Sequence, residues 1–382
     1  MENEDYRLPP LGEELEEEEL GSLRPDEIWW RDHSSWLGDK GYTLRQRYNP
    51  GWIPSWLGTG RPNILFEDGL SILHLGIMDA IRVSDGRYVC LKQIIPSKSL
   101  NEMEIVSFLA QIKDKRNPCV PVYETLLPPD DTSRPILVMP LGRNPFDPVF
   151  RTVGEVMHFL RQVFEGLQFL HELDIAHADC CDQNIIMDVT DMYPEGFHPL
   201  EPELSRDFQR PARHYSRTER PPRYYFIDFG FATKFGPSQA RLMPHVRGGD
   251  KTVPEHLRDP LRQGFFNPFL IDVYTVGNMI RQRFLDGDPV DRRMRPGMRR
   301  LEFLSDLASD MVNDDPNKRP SMNEVVSRFT EIERNLSWFK LRSRPISRTE
   351  TSAKTTFFED VKHFFWTVGL ILRGIPALPS IR

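Results

Sequence analysis

The stretch His177-Ala-Asp-Cys-Cys-Asp-Gln-Asn184 is the most informative single segment of the sequence, because it follows a long segment of helical periodicity. Residues 153–173 repeat apolar side chains at intervals of three and four, which predicts one amphipathic helix. The loop after it concentrates carboxylate and amide side chains, including Asp179 and Asn184. Such oxygens accept protons and bind Mg²⁺. The loop is therefore the first candidate for chemistry.

Further short motifs flank this loop, and their order along the chain is more informative than any one of them. A strand lysine, a turn or a proline-rich loop is common in proteins, so each motif alone is weak. In chain order they are Val-Cys-Leu-Lys92 before the loop and, after it, Ile-Asp228-Phe-Gly230, Val-Pro-Glu255, Asp272-Val-Tyr-Thr-Val-Gly277 and Asp315-Pro-Asn-Lys-Arg319-Pro.

The periodicity around the motifs predicts an α+β fold. Two β-branched runs separated by Ser-Asp-Gly predict a hairpin over 77–83 and 87–95, and Ile136–Met139 is typical of a buried strand. Helices are predicted at 100–113, 153–173, 270–284, 300–312 and 321–335, the last opening with the capping box Ser321 to Glu324. A small β-rich part thus precedes a large helical part.

In this order, the motifs resemble those of the eukaryotic-type protein kinase domain, and in particular of the divergent kinase-like proteins expanded in mushroom-forming (basidiomycete) fungi. The similarity extends from about Ile72 to Asn335. It implies a two-lobed fold, with an N-lobe over 72–140 and a C-lobe over 141–338. It also implies transfer of the γ-phosphoryl group of ATP, with Mg²⁺, to Ser or Thr hydroxyls of a protein substrate.

The same resemblance implies a role for each motif residue. Lys92 is expected to contact the α- and β-phosphates of ATP, and Asp179 to accept or orient the proton of the acceptor hydroxyl. Asn184 and Asp228 are expected to coordinate Mg²⁺. Scaffold roles are implied for three more residues, the helix-capping Asp272 and the ion pair of Glu255 with Arg319.

Two parts of the expected nucleotide site follow from position rather than from a motif. Glu102 is expected to hold Lys92, because the apolar residues at +3, +4 and +7 place it at the inward edge of the helix, and Glu104 is the second choice. Met139 is expected at the gatekeeper position because it ends the predicted strand, and Leu141 is expected within the hinge Pro140–Gly142 that follows it.

Three departures from the family pattern keep a second function open. Ala178 replaces an arginine that normally pairs with a phosphorylated loop, and Cys181 replaces a lysine that neutralises the γ-phosphate. A lost cation of this kind costs on the order of 3 kcal/mol of transition-state stabilisation. Only Gly69 and Gly76 stand where a glycine-rich turn should cover the phosphates. The alternative is a pseudokinase that serves as a binding or scaffold module; a small-molecule phosphotransferase, which generally lacks the later motifs, is a third.

Composition excludes several other classes. The formal charge is −7, and nine acidic residues against one arginine lie among the first 20 residues, so a whole-surface binder of nucleic acid is excluded. Four cysteines without zinc-type spacing predict neither a disulfide framework nor a zinc site. No signal peptide or apolar stretch of membrane-spanning length is recognised, so a cytoplasmic or nuclear protein without a transmembrane segment is expected.

The sequence also predicts the structure of four segments that lie outside the motifs. Residues 1–27 are expected to form an acidic disordered tail, and the tryptophan-rich residues 28–71 a strap that packs on the main fold. The arginine- and proline-rich insert 189–224 is interpreted as a long solvated loop, or else as a docking strip for a partner. The tail 339–382 contains an apolar helix, expected to dock on the domain rather than lie on a membrane surface.

Overall fold

The computed structural model describes residues 23–72, 74, 76–95, 102–244, 250–258, 264–291 and 293–380. It is mixed α and β and divides into two compact units. The first lies within residues 1–93, 124–139 and 199–201, and the second within 94–123, 140–198 and 202–382.

Ten α-helices occur in the described residues: α1 Pro25–Asp32, α2 Ser34–Asp39, α3 Glu102–Ala110, α4 Val153–Glu172, α5 Pro254–Arg258, α6 Pro268–Ile280, α7 Ser305–Met311, α8 Met322–Asn335, α9 Trp338–Arg342 and α10 Ala353–Leu372. The strands of the same residues are β1 Tyr42–Thr43, β2 Ile77–Arg82, β3 Arg87–Gln93, β4 Glu124–Leu126, β5 Ile136–Pro140, β6 Ile175–Ala176, β7 Ile185–Asp188, β8 Arg223–Phe226, β9 Thr233–Lys234, β10 Met243–Pro244, β11 Phe265–Phe266, β12 Met298–Arg299 and β13 Ile346–Ser347.

The first unit is built on a five-stranded sheet in the order β1-β2-β3-β5-β4. The pairs β1/β2, β2/β3 and β4/β5 are antiparallel, and the register of the β2–β3 hairpin sets Ile77 opposite Lys92. The predicted hairpin and the predicted buried strand are therefore confirmed. All five residues of β5 are buried, which explains their uninterrupted apolar sequence.

The tryptophan-rich segment packs on this sheet, as predicted. Trp30, Leu37 and Tyr48 are almost fully buried in one apolar cluster with residues of β2, β3 and β5. The segment also contains α1 and α2, which the sequence analysis did not predict. Helix α1 includes residues 25–27, which were assigned to the acidic tail; residues 1–22 lie outside the described residues.

Glu27 explains why α1 is anchored so firmly. Its carboxylate is inaccessible to solvent and accepts hydrogen bonds from Arg47 Nε at 2.9 Å and Tyr48 Oη at 3.0 Å. The hydrogen bonds and charge of Arg47, with the backbone N–H of Arg24, lower the pKa of Glu27 although burial alone would raise it. A buried, fully paired charge of this kind is structural.

The second unit is built around α4, whose apolar residues form its central cluster together with side chains of α6, α7 and α8. The predicted helices at 153–173, 270–284 and 321–335 are present, and Ser321 and Glu324 form the predicted capping box. The predicted helix at 300–312 is shorter, since a 3₁₀ turn at Glu302–Leu304 precedes α7. Of the predicted helix at 100–113, residues 100 and 101 lie outside the described residues.

The interpretation of the insert 189–224 as a solvated loop is only partly correct. It has little regular structure, but Arg217 is 1% exposed and donates to the carbonyl of Pro145 at 2.8 Å, with its guanidinium over the ring of Phe150. Thr218 donates to the Glu155 carboxylate through both its backbone N–H and its hydroxyl. The insert is therefore partly a component of the core, fixed by buried hydrogen bonds that its composition does not reveal.

Candidate functional site

The loop that follows β6 is held by one buried carboxylate. Asp272 on α6 is inaccessible to solvent, and it accepts the backbone N–H of His177 at 2.9 Å and that of Ala178 at 2.8 Å. His171 Nε2 lies 3.0 Å from the same carboxylate, and Cys180 Sγ lies 3.4 Å from it. Satisfying these otherwise buried backbone donors explains the need for an acid here. The scaffold role implied for Asp272 agrees with these contacts.

Two non-glycine residues of this region adopt left-handed backbone conformations. Ala178 has φ 61°, and Asp228 has φ 62° and ψ 65°. Such conformations cost about 1–2 kcal/mol for residues with a Cβ, and they cluster at functional sites. Here they turn the chain immediately before Asp179 and at the end of β8.

Asp179 is the least satisfied acid of the loop. Its Oδ1 is buried and has no hydrogen-bond partner in the described part of the chain. Burial, the largest cause, and the negative charge of nearby Asp228 together raise the pKa of this carboxyl to about 6, although Cys181 and Asn184 act in the opposite direction. A partly buried carboxyl with this pKa is suited to proton transfer near neutral pH.

The side chain of Asn184 is oriented by the loop itself. Its Nδ2 donates to the backbone carbonyl of Asp179 at 2.9 Å, so its Oδ1 is directed elsewhere. Strands β7 and β8 pair with Ile185 opposite Phe226, and the N–H of Ile227 donates to the Asn184 carbonyl at 3.0 Å. This pairing brings Asp228 beside Asn184. The structure thus gathers three predicted site residues, Asp179, Asn184 and Asp228.

The donor set of these residues fits Mg²⁺ by its chemistry. Asn184 Oδ1 and the Asp228 carboxylate are hard oxygen ligands, and Mg²⁺ usually takes one or two protein carboxylates and completes its shell with water and phosphate oxygens. No cluster of three or more His, Cys, Asp or Glu side chains that could hold a metal occurs in the described residues.

Cys181 contributes a neutral thiol to the loop. Burial raises the pKa of its thiol to about 12, and the charge of Asp179 adds to this effect. The thiol therefore carries no charge at neutral pH. It cannot replace the electrostatic contribution of an ammonium group.

Two arginines that the sequence analysis did not single out hold the next residue of the loop. Arg283 Nη2 lies 2.6 Å from the Asp182 carboxylate and Arg295 Nη2 lies 3.3 Å from it, and all three side chains are mostly buried. Arg283 and Arg295 belong to the segment after α6, far away in the sequence. No motif or spacing marks them, because the contact arises only when α6 packs beneath the loop.

The remaining predicted residues are distributed over both units. In the second unit, Glu102 is 2% exposed at the start of α3, which packs against the 3₁₀ turn Phe229–Phe231, whereas Glu104 is exposed. Glu102 is therefore the inward one of the two acids, and its expected contact with Lys92 stays a prediction. Leu141 is half-buried beside the core of the same unit.

The first unit contains the other two predicted site residues. Lys92 is half-buried on β3, and Met139 is 7% exposed on β5, the strand next to it in the sheet. Gly76 adopts φ 74° immediately before β2, a conformation that requires glycine. Leu73 and Leu75, which lie between Gly69 and Gly76, are outside the described residues.

The predicted scaffold ion pair is present. Arg319 donates to both oxygens of Glu255 at 2.7 Å, and to the carbonyls of Leu270 and Asn313 at 2.9 and 2.8 Å. The Arg319 side chain is inaccessible to solvent and that of Glu255 is 9% exposed. Such bidentate pairing keeps two buried charges compensated.

Comparison with known proteins adds no further assignment. In the described residues, every helix is too short or too polar to cross a membrane. A search of protein-family models and a search of curated proteins found no match to this sequence.

Proposed function

We propose that this chain is a protein kinase-like phosphotransferase that transfers the γ-phosphoryl group of ATP to Ser or Thr hydroxyls of a protein. One observation carries the proposal. Asp179, with a buried oxygen that has no partner among the described residues, lies beside the amide of Asn184 and the carboxylate of Asp228. A buried carboxylate oxygen without a partner calls for an explanation, and acceptance of a proton from a substrate hydroxyl supplies one here.

In the proposed reaction Asp179 orients the acceptor hydroxyl and takes its proton. Its pKa of about 6 leaves it mostly ionised at pH 7, yet basic enough to accept a proton during transfer. The unpartnered Oδ1 is the acceptor atom. The backbone around it is fixed through the loop contacts to Asp272, so the carboxylate need not reorganise.

The proposal assigns the divalent cation to Asn184 and Asp228. Bound there, Mg²⁺ supplies positive charge that neutralises the phosphate oxygens. Asn184 is prepared for this role because its amide nitrogen is already committed to the Asp179 carbonyl. Lys92 keeps the role with the α- and β-phosphates that the sequence resemblance implies. The choice of Ser or Thr as acceptor rests on that resemblance alone.

A second function is favoured by one specific observation. The neutral thiol of Cys181 leaves the loop without the cation that its position in the motif calls for. If that loss cannot be compensated, the chain is a pseudokinase that binds a partner protein and transfers phosphate slowly or not at all. Nucleotide binding and phosphotransfer therefore have to be measured separately.

Nucleotide binding is tested first, by thermal unfolding with ATP and Mg²⁺. Ligand at about 100 times its dissociation constant adds about 2.7 kcal/mol to the free energy of unfolding, which raises the melting temperature by several degrees. We expect this rise in the wild type and in Glu104→Gln, an exposed control on α3. The rise should be lost with EDTA, in Lys92→Ala and in Asp228→Asn. An unchanged melting temperature at millimolar ATP would favour the binding module.

Phosphotransfer is tested with radiolabelled ATP and a degenerate Ser/Thr peptide mixture. We expect Asp179→Asn to reduce the rate by about 10²–10⁴-fold, the range of a general base, without reducing the ATP-dependent thermal shift. Transfer that survives in Asp179→Asn would contradict the proposed role. Binding without transfer in the wild type would select the pseudokinase.

A further inference from the structure

Helix α10 presents an aromatic face to solvent. Phe357, Phe358, Phe364 and Phe365 are each 61–68% exposed, and Leu372 at the end of the same helix is 82% exposed. Single exposed apolar residues are ordinary, but this set lies on one side of one helix. We call this set, together with Val361, Val368 and Ile371, the outer face of α10.

The opposite side of α10 attaches the helix to the second unit, largely through polar contacts. Asp360 pairs with Arg300 at 2.8 Å and Arg344 at 3.1 Å. His363 Nε2 lies 2.7 Å from the carbonyl of Arg342, and Leu370 is fully buried. The expectation of a docked helix is confirmed. The orientation is the reverse of the usual one, in which the apolar side faces the protein.

The spacing of the outer face is that of a helix that packs against another helix. Phe357, Val361, Phe364, Val368 and Ile371 follow one another at intervals of four, three, four and three residues. This is the interval pattern of positions a and d in a heptad repeat. A membrane-surface helix needs only an apolar side, and rich basic flanks are typical of one. On α10 the bases are few, and Lys362 is paired with Glu359 at 2.7 Å.

The area of the outer face is large enough for a stable interface. An aromatic side chain has about 150–250 Å² to bury, so the exposed fractions of the four phenylalanines correspond to about 400–650 Å². The largest apolar patch of an ordinary monomer is about 300–600 Å² in total. With the aliphatic residues added, the outer face approaches the ~800 Å² that each partner contributes to a standard interface.

We propose that the outer face of α10 binds the same face of a second copy of this chain, in an antiparallel helix pair. Two-fold symmetry about the midpoint of Phe364 and Phe365 sets these two residues against each other. It also sets Phe357 against Leu372 and Val361 against Val368. Large aromatic residues at one end thus meet aliphatic residues at the other.

The charges at the helix ends favour the same orientation. Lys354, in the first turn of α10, lies on the outer side of the helix by its position in the repeat. Antiparallel pairing brings it to the C-terminal end of the partner helix, where free carbonyls and the helix dipole attract a cation. Parallel pairing would instead place two Lys354 side chains together at two helix N-termini, which is unfavourable.

The proposal is tested by light scattering of the full chain over a range of micromolar concentrations. We expect the mass to rise from 44.6 kDa to twice that value in the wild type, and to stay at one chain in the double variant Phe364→Glu, Phe365→Glu. Val290→Glu, which changes a 95% exposed residue outside α10, is the control and should dimerise normally. Circular dichroism verifies that each variant is folded.

A charge-reversed partner makes the test specific. The double variant Phe364→Lys, Phe365→Lys should be monomeric alone, yet form a mixed dimer with the glutamate variant. For the orientation, Phe357→Cys on one chain should form a disulfide with Leu372→Cys on a differently tagged chain in a glutathione buffer, and not with itself.

Three results would overturn the proposal. The first is a wild type that stays monomeric at every concentration, and the second is a glutamate variant that still dimerises. The third is a wild type that is monomeric and sediments with vesicles of phosphatidylcholine and one quarter phosphatidylserine, while the glutamate variant does not sediment with them. That last result would assign the outer face to a lipid surface.

Discussion

Two aspartates, one on the loop after β6 and one on the helix that holds this loop, differ in how their charges are compensated. Asp272 is inaccessible to solvent, and both of its oxygens accept hydrogen bonds from the loop or from α4. Asp179 lies on the loop itself, with one buried oxygen that has no partner in the described residues and a pKa raised to about 6. The same type of side chain thus has two different roles in this region, a structural one at Asp272 and a proposed chemical one at Asp179.

This difference gives a criterion that distinguishes structural carboxylates from candidate catalytic ones in this chain. A buried carboxylate whose acceptors are all used stabilises the fold, and its removal leaves donors unsatisfied. A buried carboxylate that has an unused acceptor and lies beside another acid instead of a base reduces stability, and it is a candidate for chemistry. By the first criterion the Glu255–Arg319 pair also belongs to the scaffold. Substitutions in the two regions should therefore change stability in opposite directions.

The largest effect is expected for Asp272→Ala. It leaves the buried N–H groups of His177 and Ala178 without acceptors, and it should lower the free energy of unfolding by about 4–5 kcal/mol. The measurement is the urea midpoint. Asp310→Ala is the control, because its pair with Arg328 is exposed and should contribute less than about 1 kcal/mol. A small effect of Asp272→Ala would remove the distinction between the two regions.

A slightly smaller loss is expected for Glu255→Ala. It leaves the buried charge of Arg319 without its partner. Removal of one partner of a buried ion pair lowers the free energy of unfolding by about 3–5 kcal/mol. Replacing both residues, as Glu255→Leu with Arg319→Met, should recover most of that loss in a double-mutant cycle. If the double variant is as unstable as the single one, the pair acts through more than its charge.

Asp179→Asn should have the opposite sign and stabilise the protein. It removes a partly buried charge that burial and Asp228 both disfavour, and we expect a gain of about 1–2 kcal/mol at pH 7.5, less than the full pKa shift because the site is partly solvated. The matched control is Asp182→Asn, which weakens the pairing with Arg283 and Arg295 and should destabilise. Equal signs for the two variants would contradict the comparison.

The gain from Asp179→Asn should depend on pH in a defined direction. The folded-state pKa of Asp179 is raised from 3.8 to about 6, so the contribution of this group to stability is fully present below pH 3.8 and is lost as the pH rises through about 6. The wild type should therefore approach the variant as the pH falls through this window. Unfolding curves at several pH values measure the difference, and a gap that stays constant would refute the assignment.

The smallest effect is expected for Ala178→Gly. Glycine removes the strain of φ 61° but increases the entropy of the unfolded chain, so the two changes nearly cancel and the free energy of unfolding should change by less than about 1 kcal/mol. Ala178→Val should cost more, because a β-branched side chain resists this conformation. Equal melting temperatures for both variants would show that the backbone here relaxes.

The local elements were predictable because each depends on residues close in sequence. The β2–β3 hairpin, the buried β5 and helices α4, α6 and α8 follow from periodicity and turn residues. The inward position of Glu102 also follows, since one helical turn decides which acid faces the core. Helices α1 and α2 were missed, because their aromatic and polar residues show no regular repeat.

The order of the motifs in the sequence, with the resemblance that rests on it, predicted that Asp179, Asn184 and Asp228 belong to one site. Only the tertiary structure decided which of these acids is unsatisfied, that Asp182 is held by two distant arginines, and that α10 turns its phenylalanines outward. The physical reason is the same in each case. Burial, the pKa of a carboxyl and the pairing of a charge depend on neighbours that are far apart in the sequence, and spacing along the chain does not encode them.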